Sequence, residues 1–323
     1  MKNLKDIAKA AEVSSITVSR VINTPDKVKP ETKRRVEKIL CDMGYTPNMA
    51  AKNLVSKRTG VIDVYVPEDI DLHSPFIMHF IAGISEVLSE ELYSFLIKRS
   101  WKRNHSCDGY IVMGLLTEEI HDFYSRAQEK NLPVVLFGHT DIEEIACFDV
   151  DNLLGALIAT NHLIQMGHRN IALINTDENK DYTVDRLQGY KNALSAAGLA
   201  FNPDLTIRTK NTVHGGNLGM KALMARGGFT AVFCVTDLMA IGVMNALYET
   251  GMRIPEDMSI VGFDGLGFHH LTNPLLTTIR QPVFEIGKKL ARLITRRIQE
   301  GNERITGFLP PELLPGKSVK LIL

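Results

Sequence analysis

The sequence is poor in the residues that staple small secreted folds or build metal centres. Its 323 residues hold four cysteines, Cys41, Cys107, Cys147 and Cys234. They are widely separated and form no CxxC pair, so neither a disulfide framework nor a zinc site is expected, and buried free thiols are the better reading. There is a single tryptophan, Trp101. No run of about 18 apolar residues exists, and the chain starts MKNLKDIAKA instead of a charged stretch followed by an apolar one. Neither a membrane span nor a secretory signal is therefore expected, and the expected location is the cytoplasm. Catalytic signatures are missing as well. GGNLG at 215–219 and GFDGLG at 262–267 have the wrong spacing for GxGxxG, and neither GxxxxGK[ST] nor GxSxG occurs. His269 and His270 are adjacent and would point apart in an extended chain, a poor start for a metal site or a base. Catalysis, cofactors and metals are not expected.

What is present is enough for a substantial core, with 45% hydrophobic and 23% charged residues. The length suits a small module joined to one or two larger ones. The formal net charge of zero hides an asymmetry, because residues 1–58 carry 13 Lys and Arg against 6 Asp and Glu. A basic front on an acidic body suits a chain whose first module meets phosphate.

That front module opens with LKDIAKAAEVSSITVSRVIN, from Leu4 to Asn23. Ile7, Ala8 and Ala11 form one apolar stripe at helical spacing, and Val13, Val18, Val21 and Ile22 form a second. Glu12, Val13 and Ser14 break the period between them, and Ser14 suits the N-cap of a second helix. The pattern predicts a helix-turn-helix whose second helix presents Ser15, Ile16, Thr17, Ser19 and Arg20 to the DNA major groove; the alternative is a plain helical hairpin with a solvated face. A third helix is predicted from Pro30 to Met43, stopped by Gly44, with Val36, Ile39 and Leu40 closing the small core. Lys33, Arg34 and Arg35 on it either touch the DNA backbone or face water.

The chain continues through MGYTPN and AAKNL to a short basic run. With the DIAKxAxVSxxTVSRVIN pattern before them, these motifs resemble the headpiece of the lactose/galactose-repressor family, from Leu4 to Gly60. The resemblance implies base reading by Ser15, Ile16 and Arg20. An arginine can bind guanine bidentately, whereas Ile16 offers only apolar contact, for instance to a thymine methyl. Thr17 and Ser19 are better suited to phosphate oxygens. The resemblance also implies a hinge helix over 47–59, formed when two copies pair in the minor groove, with Leu54 as a wedge between base pairs and Lys52 on phosphate. A plain linker is the alternative.

From Gly60 onward, short apolar runs alternate with amphipathic helices: 61–67, 93–97, 109–114, 133–138, 170–175, 231–235 and 258–264. That rhythm predicts parallel sheets covered by helices on both faces. The expected fold is a small all-α helix-turn-helix headpiece plus an α/β core of two parallel-sheet lobes, like the periplasmic binding proteins. The expected division is a headpiece at 1–46, a hinge at 47–59 and a core at 60–323. Within the core, one lobe takes about 60–158 and 283–308, and the other about 159–281 and 309–323. HSPF, GHRNIALI, DRLQGYKNAL, TDLMAIGVMNAL, GMRIPEDMSIVGFD and LTTIRQP keep the family's order. By position they imply that Ser74, Phe76, Arg186, Thr236, Asp237, Asp264 and Gln281 line a cleft between the lobes. Asp264 and Arg186 can each bond neighbouring hydroxyls, and Phe76 offers a face for a sugar ring. Each also has a structural alternative: Asp264 capping a turn, Arg186 paired with a surface carboxylate, Phe76 as core. The segment KRSWKRNHSC is shorter than in relatives, and its Trp101 either stacks on a ligand or plugs a gap.

The family likeness thus implies a homodimeric repressor of carbohydrate-utilisation genes that binds a palindromic double-stranded DNA operator. A sugar-like small molecule in the cleft would switch its operator affinity. The alternative is a sugar-binding protein or sugar-processing enzyme with no DNA role.

Overall fold

The computed structural model describes residues 3–23, 27–45, 58–100, 105–301 and 304–322. The chain divides into two compact units, Met1–Gly60 and Val61–Leu323.

In the first unit, α1 (Leu4–Ala10), α2 (Ser15–Asn23) and α3 (Pro30–Asp42) pack around Ile7, Ala8, Ala11, Val18, Val21 and Val36. The Asn3 side chain caps α1, accepting from the backbone N of Lys5 and Asp6, while the Asp6 carboxylate reaches back to the Asn3 N–H. This closes a capping box and satisfies donors that a helix start leaves without partners. Glu12 turns the chain with φ 52°, the left-handed conformation that ends a helix abruptly. α3 stops one residue before the predicted end, with Met43 as its C-cap and Gly44 at φ 60°. Ile39 and Leu40 pack against the core at its margin, and Val36 is fully buried.

The second unit runs β1 (Val61–Tyr65), α4 (Pro75–Glu90), β2 (Ser94–Lys98), β3 (Gly109–Met113), α5 (Thr117–Gln128), β4 (Val134–Phe137), β5 (Ala146–Val150) and α6 (Asn152–Gln165). It continues through β6 (Ile171–Thr176), α7 (Asp181–Ala196), β7 (Thr206–Thr209), α8 (Val213–Arg226), β8 (Ala231–Cys234) and α9 (Asp237–Glu249). β9 (Ser259–Asp264), β10 (Thr277–Arg280), α10 (Val283–Glu300), β11 (Thr306–Leu309) and β12 (Glu312–Leu314) complete it. The strands form two six-stranded sheets, ordered β11-β5-β4-β3-β1-β2 and β12-β10-β9-β8-β6-β7. The first is parallel throughout, and the second is parallel except where β12 runs against β10. β3, β4, β6 and β8 are buried along their whole length, as strands covered on both faces must be.

The chain passes between the sheets three times: between β5 and α6, between β10 and α10, and between β11 and β12. α6 already packs on α7, β9 and β10 of the second sheet, so the first passage falls near residue 151. Small residues allow the covering helices to approach closely. A Cβ on Gly83 of α4 would meet the Phe284 carbonyl of α10, and one on Gly242 of α9 would meet the Val213 carbonyl of α8.

The sequence pattern missed β5, β7, β10, β11 and β12 as strands. His269 and His270 do not lie in an extended segment, the geometry in which they would point apart. They lie in a short 3-10 turn, Phe268–Leu271, which brings their ring centroids to 3.9 Å. Of the cysteines, Cys107, Cys147 and Cys234 are buried, but Cys41 is exposed, which corrects the expectation of four buried thiols. Trp101 and the hinge positions Lys52 and Leu54 lie outside the described residues.

Candidate DNA-reading helix and ligand cleft

Helix α2 is held by its buried face. Val18 and Val21 are in the core, while Ile16 is 65% exposed and Ser15 and Arg20 are also exposed. At about 100° per residue, Ile16 and Arg20 project roughly 40° apart on the side away from Val18 and Val21. Ser14 caps the helix: its Oγ accepts from the Thr17 backbone N at 3.1 Å and pairs with the Thr17 hydroxyl at 2.9 Å. Thr17 and Ser19 are half-buried, not fully presented as expected. The helix thus exposes one mixed polar and apolar face, Ser15, Ile16 and Arg20, flanked by two recessed hydroxyls.

In the core, the carboxyl ends of the second sheet's parallel strands collect a polar cluster. Asp264 ends β9 with φ 136°, and Gly265 follows at φ 60°, so the chain leaves the strand through a conformation that costs free energy for a non-glycine residue. The turn is held from three sides. The Asp237 carboxylate accepts from the Gly265 N at 3.0 Å, the Asp237 backbone N donates to Asp264 Oδ2 at 3.3 Å, and the Gln281 amide donates to Asp264 Oδ1 at 2.7 Å. Asp237 also accepts from the Thr278 hydroxyl at 2.5 Å. Thr236 uses its Oγ twice, accepting from the Met239 N as the N-cap of α9 and donating to Asn211 Oδ1 at 2.8 Å. Burial and the neighbouring Asp264 push Asp237 well above the usual carboxylate range. Burial likewise raises Asp264 to about 6, against the opposing pull of Arg186.

Arg186 is buried on α7 and is shared between elements, not paired with a surface carboxylate. Its Nε and Nη2 donate to Asn152 Oδ1 at 3.0 and 2.8 Å, and Nη1 donates to the Val235 carbonyl at 2.5 Å. The guanidinium lies 3.6 Å from the Phe263 ring centroid and 4.7 Å from that of Tyr182, within cation–π range of both. Asn152 in turn donates to the Val150 carbonyl at the end of β5, so the arginine is tied to the first passage between sheets.

The structure therefore brings Arg186, Asp237, Asp264 and Gln281 together, with Thr236 beside Asp237 at the start of α9. Ser74 and Phe76 belong to the first sheet, where they open α4 after β1. Both are half-buried, and the Phe76 ring stacks on Phe137 with centroids 5.3 Å apart, so its core role is real. No hydrogen bond among the described residues joins them to the Arg186 group. Other residues of the first sheet do reach across. His139, after β4, pairs through Nδ1 with Asp149 at 3.1 Å and through Nε2 with Asp181 of α7 at 3.5 Å. Lys180 donates to the Gly114 carbonyl at 2.5 Å and pairs with Asp69 at 3.5 Å. Sequence reasoning missed Asn152, Tyr182, Asn211, His139, Asp149 and Lys180. Only the charged run ENKDYTVDR offered a signal, and it reads equally as a solvated loop.

The pattern of bacterial regulatory proteins of the lacI family matches residues 3–48, and that of the periplasmic binding protein-like domain matches residues 160–319. The ribose operon repressor of Haemophilus influenzae is 34% identical over 314 residues, covering 94% of each chain. The uncharacterized HTH-type transcriptional regulator YvdE of Bacillus subtilis is 33% identical over 321 residues, covering 98% of this chain and 99% of its own. The chain belongs to the lacI family. The lacI-family fold extends through both units: the structure of a transcriptional regulator CelR–cellobiose complex superposes with a TM-score of 0.75 at 30% identity, covering 98% of this chain and all of that one. As a lacI-family member the chain is a DNA-binding transcription regulator and not an enzyme, which closes the alternative without a DNA role. Among the described residues no helix is long and apolar enough to cross a membrane.

Proposed function

We propose that this chain is a homodimeric repressor in the cytoplasm that grips a palindromic operator with two copies of α2 and releases or tightens its hold when a sugar enters the cleft of the core. Ser15, Ile16 and Arg20 read base edges, Thr17 and Ser19 meet phosphate, and Leu54 with Lys52 serves the minor groove. Arg186, Thr236, Asp237, Asp264 and Gln281 form one wall of the effector site, and Ser74 and Phe76 form the other. The observation that carries the reading is the polar cluster at the carboxyl ends of the second sheet's strands, where open α/β sheets bind ligands. The ribose operon repressor and the cellobiose complex among the relatives support a saccharide there. The regulated genes are then those of carbohydrate use. An effector changes operator affinity only if it binds the two lobe arrangements unequally.

The test is a salt-titrated DNA-binding assay on the full chain with and without saccharides. Steep salt dependence, preference for one palindrome and a shift in affinity with a sugar are expected. Absence of specific DNA binding, or indifference of that binding to every saccharide, would overturn the reading.

A further inference from the structure

The charges around the cleft are unevenly distributed. Arg186 sits within electrostatic reach of three carboxylates, Asp264, Asp149 and Asp185. Its Nε, Nη1 and Nη2 each already donate to a protein oxygen. Two more cations of this region are engaged by acids of their own: His139 by Asp149 and Asp181, and Lys180 by Asp69 as well as the Gly114 carbonyl. Arg208, which donates to the Thr176 carbonyl, and Lys210, beside Asn211, are solvent-exposed, where screening leaves them little pull on a buried anion. Asp185 is half-buried and looks onto His139, Asp149, Asp181 and Arg186. A buried anion needs a partner charge, and this cleft has none to spare.

We infer that the effector carries no negative charge of its own: the site takes a free, unphosphorylated saccharide and rejects sugar phosphates and sugar acids. This rests on the saccharide reading of the cleft and deepens it. What the site does offer suits hydroxyls. The remaining Arg186 N–H groups can donate, the Asp264 oxygens each accept one protein hydrogen bond and have a further lone pair, and Thr236 and Asn211 add short polar contacts. Asp185 is raised first by burial and then by Asp149 and Asp181, which disfavour its ionised form, whereas burial alone raises Asp264.

The test uses the full-length protein in calorimetric titration and thermal-shift assays. Ribose is compared with ribose 5-phosphate, glucose with glucose 6-phosphate and with glucuronate, and cellobiose is added as a neutral disaccharide. At least one free sugar is expected to bind, and the charged form of any sugar that binds is expected to bind at least tenfold more weakly. A phosphate or acid that binds as tightly as its neutral partner overturns the inference while leaving the saccharide reading intact. If no saccharide in either form binds, the saccharide reading falls and this inference with it. Asp185→Asn removes one like charge from the site without emptying it, and should narrow the neutral-to-phosphate ratio by roughly tenfold. A ratio that does not move overturns the electrostatic cause.

Discussion

Asp237 offers the sharpest test of how the site is held, because its two carboxylate oxygens have separate tasks. One accepts the Thr278 hydroxyl at 2.5 Å and the other accepts the Gly265 N–H at 3.0 Å, in a position only 1% exposed. Asp237→Ala removes both acceptors. An orphaned buried donor costs about 1–3 kcal/mol, and two are left, but removing an acid that burial and Asp264 already disfavour recovers part of the loss. The net cost is about 2–3 kcal/mol. For a unit of this size that corresponds to a fall of roughly 4–10 °C in the core's melting temperature. Asp237→Asn is a different perturbation. Its amide oxygen can keep the Gly265 bond, its NH2 can donate to a rotated Thr278 hydroxyl, and the negative charge disappears. A cost below about 1 kcal/mol is expected. Urea unfolding of the full chain at neutral pH, followed by far-UV circular dichroism, measures both variants. Saccharide titration then asks whether Asp264 has lost its footing, with affinity falling further in the alanine variant. An alanine variant as stable as the asparagine variant would refute the reasoning, since the two differ mainly in these hydrogen bonds.

The remaining outcomes concern Asp264, the cap of α2 and the helix pair α4–α10. Burial holds Asp264 at about 6 against an ordinary 3.8, so the folded state binds its proton more tightly than the unfolded chain. Its contribution to stability is then fully present below about 4 and is lost as the pH rises through 6. Effector affinity should run the opposite way, because the ionised carboxylate is the better hydroxyl acceptor. Titrations are expected to weaken by roughly tenfold between pH 7 and pH 5, and a profile as flat as that of Asp264→Asn would count against its role. Ser14→Ala deletes the cap on α2 and should destabilise the headpiece by about 0.5–2 kcal/mol, read as weaker operator binding with unchanged saccharide affinity. Gly83→Ala drives a methyl into the Phe284 carbonyl where α4 meets α10, and should cost about 1–3 kcal/mol in the core's unfolding free energy. A wild-type midpoint would show that the helix pair can separate freely.

How much of this was legible depended on where each residue lies in its sheet. The runs at β1, β3, β4, β6, β8 and β9 stand out because helices cover both faces and nearly every position must be apolar. β7, β11 and β12 are sheet edges with mixed burial, and TIRT, TGFL and ELL carry too few apolar positions to announce a strand, whereas the edge strand β2 is legible because the run YSFLI is mostly apolar. β5 escapes because its neighbour β11 arrives from far along the chain, pairing Cys147 with Thr306. The site divides in the same way. Arg186, Asp237, Asp264 and Gln281 could be placed because each belongs to a motif of the family in its expected order. Their partners could not: Asn152 meets Arg186 across 34 residues, and Thr278 meets Asp237 across 41. Such contacts depend on how the chain passes between sheets, and local periodicity carries no record of that.

The same passages bear on how an effector could act. The two sheets of the core are already joined by polar bonds: His139 spans Asp149 and Asp181, Lys180 spans Gly114 and Asp69, and Asn152 links the end of β5 to Arg186. Burial lowers and its acid neighbours raise the His139 pKa, and the Asp149 hydrogen bond prevails, so this link strengthens when the imidazole is charged. A saccharide that merely fitted between the sheets would favour neither lobe arrangement. To shift the balance it must make bonds available in one arrangement only, and in the proposed site the residues with spare hydrogen-bonding capacity are Asp264 and Arg186 on one sheet and Ser74 on the other. In the proposed site Ser74 is therefore where the two walls should cooperate: it makes no side-chain cap bond at the start of α4, which leaves its hydroxyl for a ligand bound at Asp264.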